Sequence, residues 1–204
     1  QARRLKMLTG LGIKPEAAPW LARSEVEMAK KNRSGAREAL EQATKIDAEY
    51  VPAQLALGLL YQQAEEWDPA IERYQLVIGK NPTHAAALNN LAYVMALHKG
   101  DPAGALPFAR RAYLASVKNP ATSVTLAWIY HLMADDSTAG PIITIAAQRL
   151  PDNAEVQLHA AVILAATGKT AAATQHLDAA LRLDPSFEGN QDVKDLWKRL
   201  HPAK

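Results

Sequence analysis

The chain contains no cysteine. That absence removes disulfides, thiolate metal ligands and cysteine nucleophiles, and it leaves the redox compartment open, because reducing and oxidising locations both accept a Cys-free chain. Long apolar runs are lacking too. The longest, such as residues 57–61 and 160–166, fall far short of the ~20 residues that a membrane span needs, so direct membrane insertion is not expected. Neither charge sign dominates: 23 Lys and Arg stand against 21 Asp and Glu, interspersed along the chain. No strong field therefore draws nucleic acid or a membrane surface. The opening Arg3–Arg4–Leu5–Lys6 has no apolar core of a secretory signal, and no Met precedes it. A processed chain or a longer parent is expected, and the missing signal leaves export undecided.

What the sequence does have is an internal repeat. Ala36, Ala70, Ala105, Ala139 and Ala173 are separated by 34, 35, 34 and 34 residues. Ala43, Val77, Ala112, Ala146 and Ala180 follow in the same register. A third ladder runs through Arg23–Ser24, Leu57–Gly58, Leu91–Ala92, Leu126–Ala127 and Ala160–Ala161, each placing a small residue ahead of the alanine ladder. One slip, near Gly100, interrupts a phase otherwise kept over five units.

Each unit reads as two helices joined by a tight turn. In the second, the apolar run from Leu55 to Tyr61 ends at Glu65–Glu66–Trp67–Asp68–Pro69, where Asp68 is expected to cap a new helix with Pro69 in its first turn. Ala70, Ile71, Tyr74, Val77 and Ile78 then recur at helical spacing until Gly79–Lys80–Asn81–Pro82 stops the run. Strand signals are absent. The small residues mark helix crossings at the usual ~8–10 Å contact distance, with Tyr61 and Tyr74 filling the space around them.

Several apparent motifs dissolve in context. Gly168–Lys169–Thr170 matches the tail of a phosphate-binding loop, but Ile163 stands where the first glycine belongs and no strand precedes it. The six histidines include no HExxH or other close ligand pair, so no metal site is expected. Asp135–Asp136 reads as helix termination and N-capping. Asn32–Arg33–Ser34 fits a glycosylation sequon but sits where the first hairpin must turn. No catalytic constellation remains. The chain is expected to be no enzyme and to need no cofactor.

Spacing and residue type together resemble the tetratricopeptide repeat family, whose motif combines a first-helix Leu-Gly and Tyr with a second-helix Ala, an aromatic and a closing Pro. The second unit supplies Leu57, Gly58, Tyr61, Ala70, Tyr74 and Pro82 in those places. The other units match more loosely through Trp20, Leu91, Leu126, Tyr130, Pro151, Gly168 and Pro185. The resemblance implies an all-α, right-handed α-solenoid of five helix-turn-helix repeats at residues 17–50, 51–84, 85–119, 120–153 and 154–187. A capping helix is expected at 188–204, its stripe being Val193, Leu196, Trp197 and Leu200, and Leu5, Leu8 and Leu11 in residues 1–16 read as the remnant helix of a preceding repeat.

In that family the first helices line a concave groove that holds a protein partner. The resemblance assigns to it Leu21, Glu25 and Met28; Leu55, Leu59, Gln62 and Gln63; Asn89, Tyr93 and Leu97; Val124, Trp128 and His131; and Leu158, Val162 and Ala165. Leu55 and Leu59 stand where members that grip acidic peptide tails need Lys and Asn, so the expected partner is a protein or peptide with an apolar or mixed surface. Trp67 and Trp197 are expected to be packing residues. The runs at residues 88–93 and 125–130 are similar to bacterial members associated with envelope polysaccharide export and surface-protein sorting, which favours the bacterial periplasm or envelope over the cytoplasm. The leading function is a scaffold for protein interaction. The alternative is a structural spacer or self-assembly segment, with homo-oligomers formed through the solenoid ends.

Overall fold

The structure, a computed structural model, describes residues 14–201. The segment holding Leu5, Leu8 and Leu11 lies outside them. All regular structure among the described residues is helical. Four helices fill the first part of the chain: α1 (Ala18–Ala29), α2 (Arg33–Ile46), α3 (Val51–Gln63) and α4 (Trp67–Lys80). They are followed by α5 (Ala85–Leu97), α6 (Pro102–Ala115), α7 (Pro120–Leu132) and α8 (Asp136–Arg149). The last three are α9 (Ala154–Ala166), α10 (Thr170–Leu183) and α11 (Gln191–Leu200), with short 3-10 turns at Pro15–Ala17 and Pro185–Gly189.

The chain forms two compact units, one reaching to Val94 and one starting at Met95. Within the first, α1 pairs with α2 and α3 with α4, while α2 packs on α3. Within the second, α7 pairs with α8 and α9 with α10; α6 packs on α7, α8 on α9, and α11 on α10. Hairpins packed side by side in chain order are the arrangement of a helical-repeat solenoid, so the all-α class expected from the ladders is the one observed.

The ladders mark the crossings. Ala36, Ala70, Ala105, Ala139 and Ala173 are all fully buried, as are Ala43, Val77, Ala112, Ala146 and Ala180. At Gly58 the approach leaves no room for a side chain: a Cβ there would stand 2.7 Å from Cε1 of Tyr74. Tyr74 itself is completely buried, and its hydroxyl donates to Oε1 of Gln62 at 2.7 Å. Burial pushes its phenol well above the ordinary range, while a hydrogen bond with Asn90 acts in the opposite direction.

A fourth ladder lies in the turns. Lys31, Glu65, Gly100, Ala134 and Gly168 have φ of 60°, 60°, 66°, 60° and 74°, left-handed values spaced at the repeat period. The residue after each sends its N–H back into the preceding helix: Asn32 to Glu27, Glu66 to Tyr61, Asp135 to Tyr130 and Lys169 to Leu164, at 2.9–3.0 Å. This is the Schellman closure, which satisfies carbonyls that the helix end would orphan. In the third hairpin the same bond runs from Asp101 to Met95, one residue farther, which places the extra residue of the slip beside Gly100.

The left-handed residue also fixes where the next helix begins. Asn32, Asp101 and Asp135 are the N-caps, accepting from the backbone N–H groups of Gly35, Gly104 and Thr138 at 3.1, 2.8 and 3.1 Å. In the second hairpin the N-cap is Glu66, whose side chain makes no cap bond, and Asp68 lies inside the first turn. The expectation that Asp68 caps α4 is therefore corrected: the Schellman turn at Glu65 starts the helix two residues earlier. Asp68 still places a carboxylate near the positive end of the helix dipole.

Between hairpins, a buried glutamine recurs. Nε2 of Gln54 donates to the Ala48 carbonyl at 2.7 Å and its Oε1 accepts from Arg73 at 3.3 Å. Three repeats later, Nε2 of Gln157 donates to the carbonyls of Ala147 and Leu150 at 3.1 and 3.0 Å, and Oε1 faces Nδ1 of His176 at 2.7 Å. With both amide hydrogens committed, Oε1 must be the acceptor, so His176 carries its proton on Nδ1. At the C-terminal end Val193, Leu196 and Leu200 are buried against the last hairpin. Trp197 is not: it remains 45% exposed and stacks on His201 with centroids 4.5 Å apart. It sits one residue past Leu196, about 100° around the helix from the buried stripe.

Candidate protein-binding faces

The first helices of the hairpins carry the candidate residues, and each unit presents its own set. In the first unit α1 and α3 frame a hollow of 560 Å³, with Leu21, Ser24, Glu25 and Met28 on one side and Leu55, Ala56, Leu59 and Gln63 on the other. Leu40, from α2, closes its floor and is 2% exposed, whereas Met28 and Leu59 at the lip are 37% and 38% exposed. Helical spacing explains the grouping. Leu55 and Leu59 lie one turn apart, on the side of α3 opposite Leu57, which is consumed in the hairpin crossing. Gln62 is half-buried and is held by the Tyr74 hydroxyl. Asn89 and Tyr93, on α5, are half-buried, and the Asn89 amide oxygen is shielded without a hydrogen-bond partner.

In the second unit Leu97, Val124, Trp128, His131, Leu158 and Val162 are all half-buried. Val124 and Trp128 rest against the core formed by Ala127, Ile143, Ala160 and Ile163, and Leu158 and Val162 rest on the cluster around Leu164 and Leu177. Trp128 is therefore neither a free anchor nor a core residue: one side packs inward. Its indole stacks on the imidazole of His159, centroids 4.0 Å apart and planes 24° apart, and lies 4.9 Å from His131. Nδ1 of His131 meets Oδ1 of Asp136 at 2.6 Å. Nδ1 of His159 is shielded and has no partner. Burial, reinforced by the nearby His131, holds the His159 pKa down to about 4, so the ring is neutral at physiological pH.

His159 is a member of this face that sequence reasoning passed over as one scattered histidine. The available signal was positional, since it precedes Val162 by three residues and so lies one helical turn back on the same side of α9. Among the described residues no group of three His, Cys, Asp or Glu is placed to hold a metal ion, and no helix is long and apolar enough to cross a membrane.

The comparisons agree with the geometry. The family model for the tetratricopeptide repeat matches residues 55–121 and 142–186, more than half of the chain. No curated protein matches by sequence. Among solved structures, YrrB, a tetratricopeptide protein with an unusual peptide-binding site, is 17% identical, covers 91% of this chain and 90% of its own, and superposes with a TM-score of 0.67. TTC0263, a tetratricopeptide protein of Thermus thermophilus, is also 17% identical and covers 92% and 100% with a TM-score of 0.65. PilF of Pseudomonas aeruginosa is 18% identical and covers 92% and 93% with a TM-score of 0.70. At such identities these likenesses carry the fold alone. Fold, ladders and family model converge, and the chain belongs to the tetratricopeptide repeat family.

Proposed function

We propose that this protein is a non-catalytic scaffold that binds a partner polypeptide on the faces of its first helices, the five repeats being the segments delimited by the alanine ladders. Tetratricopeptide proteins are protein-interaction scaffolds, and one structural neighbour has a peptide-binding site. The observation that carries the reading is the register position filled by Leu59, Tyr93, Trp128 and Val162. Core packing claims the neighbouring Leu57, Leu91 and Leu126 almost completely, at 2%, 0% and 3% exposure, yet leaves each member of this ladder partly open. Aromatic side chains in that position bury much area at small entropic cost when a partner arrives.

The test is a selection of peptide binders from a random display library, followed by affinity measurements on Leu59→Asp and Trp128→Ala. Binders of either face should lose about tenfold or more with the corresponding variant while circular dichroism stays unchanged. If all binders keep full affinity for both variants, the first-helix faces are not the recognition surface.

A second reading, assembly through the ends, draws on the C-terminal end. There Leu181, Val193 and the half-exposed Trp197 line a hollow of 400 Å³ edged by Glu188, Lys194 and Lys198. Sedimentation velocity of the wild type and Trp197→Ser separates the two: concentration-dependent association abolished by the substitution supports assembly.

A further inference from the structure

The hollow of the first unit holds one charge. Of the side chains lining it, Glu25 alone is ionised, the rest being apolar apart from Ser24 and Gln63. Glu25 also interrupts a pattern. It occupies, 34 residues earlier, the register position of Leu59, which Tyr93, Trp128 and Val162 fill in the following repeats. Its neighbour Glu27 is engaged by Lys30 and Asn32 at 3.1 and 2.7 Å. Glu25 forms no ion pair among the described residues and is exposed.

We propose that this hollow receives a basic amphipathic helical segment of a partner protein, with an apolar side chain seated between Leu21, Leu55 and Leu59 and a Lys or Arg one helical turn away paired with Glu25. The inference rests on the binding role given above for the first-helix faces and assigns the partner's chemistry. Seating an apolar anchor removes water from Met28 and Leu59, which is favourable in proportion to the area covered. The same step strips water from Glu25, which is costly unless a cation replaces it. A partner with an acidic residue at that place is rejected by like-charge contact, so one carboxylate selects as well as attracts. Helical spacing of three or four residues puts the anchor and the cation on one face. The preference is local, because the chain as a whole carries a formal charge of +2 and its overall field does not favour cationic ligands.

Two fluorescein-labelled peptides of about sixteen residues, built with Leu at helical spacing and either Lys or Glu elsewhere, provide the test. By fluorescence anisotropy at physiological salt, the Lys peptide should bind and the Glu peptide should not. Glu25→Lys should weaken the Lys peptide about fivefold and admit the Glu peptide, Leu59→Asp should weaken it about tenfold or more, and Leu114→Ser, at an exposed position of α6 outside the candidate faces, should leave it unchanged. Melting temperatures within error of the wild type establish that the variants are folded; Glu25→Gln, which keeps size and removes charge, is a second probe expected to fall between wild type and Glu25→Lys. Equal binding of both peptides, no binding of either, insensitivity to both Glu25 variants, or a dimer dissociated by Leu59→Asp would overturn the proposal. Library-selected binders that respond to Trp128→Ala while the Lys peptide leaves the hollow empty would refute this inference alone and spare the broader binding role.

Discussion

Gly58 and Tyr74 approach so closely that the missing Cβ of one is the space occupied by the ring of the other, 2.7 Å from where that carbon would be. The ring cannot retreat. It is fully buried and its hydroxyl is tied to Gln62. Gly58→Ala is therefore expected to destabilise the protein by about 1–3 kcal/mol through overpacking, although alanine is the better helix former. Urea denaturation measures this, and a stability equal to or above the wild type would show that α3 and α4 separate without cost.

The turn residues make a prediction of opposite sign. Glu65 and Ala134 hold a left-handed backbone that Gly100 and Gly168 adopt at equivalent positions. Left-handed geometry costs an L-residue ~1–2 kcal/mol, and glycine's greater unfolded-state entropy takes back ~0.5–1. Glu65→Gly and Ala134→Gly should each stabilise by about 0.5 kcal/mol, seen as a higher urea midpoint. A lower midpoint for both would mean that side-chain contacts at these turns outweigh backbone strain.

His159 gives the protein a pH-dependent stability. Its pKa falls from 6.5 to about 4 on folding, mainly through burial, so between those values the unfolded chain binds more protons than the native one and stability rises with pH. The contribution is fully present above about 6.5, is lost as pH falls toward 4, and amounts to about 3 kcal/mol. Burial also lowers the His176 pKa, which acts in the same direction. The charged neighbour that acts on His159 is His131, itself paired with Asp136 at 2.6 Å. Unfolding free energies measured from about pH 7.5 down to about pH 4.5 should fall for the wild type relative to His159→Gln, whose curve lacks this titration. Parallel curves would remove His159 from the account.

Gln157 is expected to be among the costliest polar residues to lose. Gln157→Leu fills the same space but leaves the carbonyl of Ala147 and the Nδ1–H of His176 without their partner and takes one of two donors from the Leu150 carbonyl, which the Asn153 N–H still holds. Unsatisfied buried groups cost ~1–3 kcal/mol each before relaxation, so a net loss of about 2–3 kcal/mol is expected in thermal or chemical unfolding. A neutral outcome would show that water reaches these carbonyls.

The sequence made the hairpins legible because close helix crossings admit only small side chains, and the alanines that satisfy them recur at a fixed period. Asn32 and Asp135 were readable as turn and cap for the same reason. Lys31, Glu65 and Ala134 were not readable as left-handed residues, since Schellman hydrogen bonds compensate the strain and no glycine is needed to announce them. The candidate face was legible as positions but not as contacts. Trp128 and His159 are 31 residues apart in different hairpins, and their stacking depends on how α7 and α9 lie against one another. Trp197 was misplaced because a short helix with Leu196 beside Trp197 offers two adjacent directions, and the smaller residue went inward.

The glutamine ties have a consequence for how the array comes apart. In a one-dimensional array, stability is a sum of hairpin terms and nearest-neighbour interface terms. Gln54 strengthens the interface between the first two hairpins and Gln157 that between the last two, whereas Leu88, at the equivalent position of the third, has no amide with which to bind the preceding loop. The interfaces are consequently graded along the chain. Ser123, at the equivalent position of the fourth hairpin, lacks an amide as well, so the cooperativity contributed by these ties is strongest toward the two ends, and the first two hairpins and the last two are each expected to unfold as a pair instead of one by one from the tips.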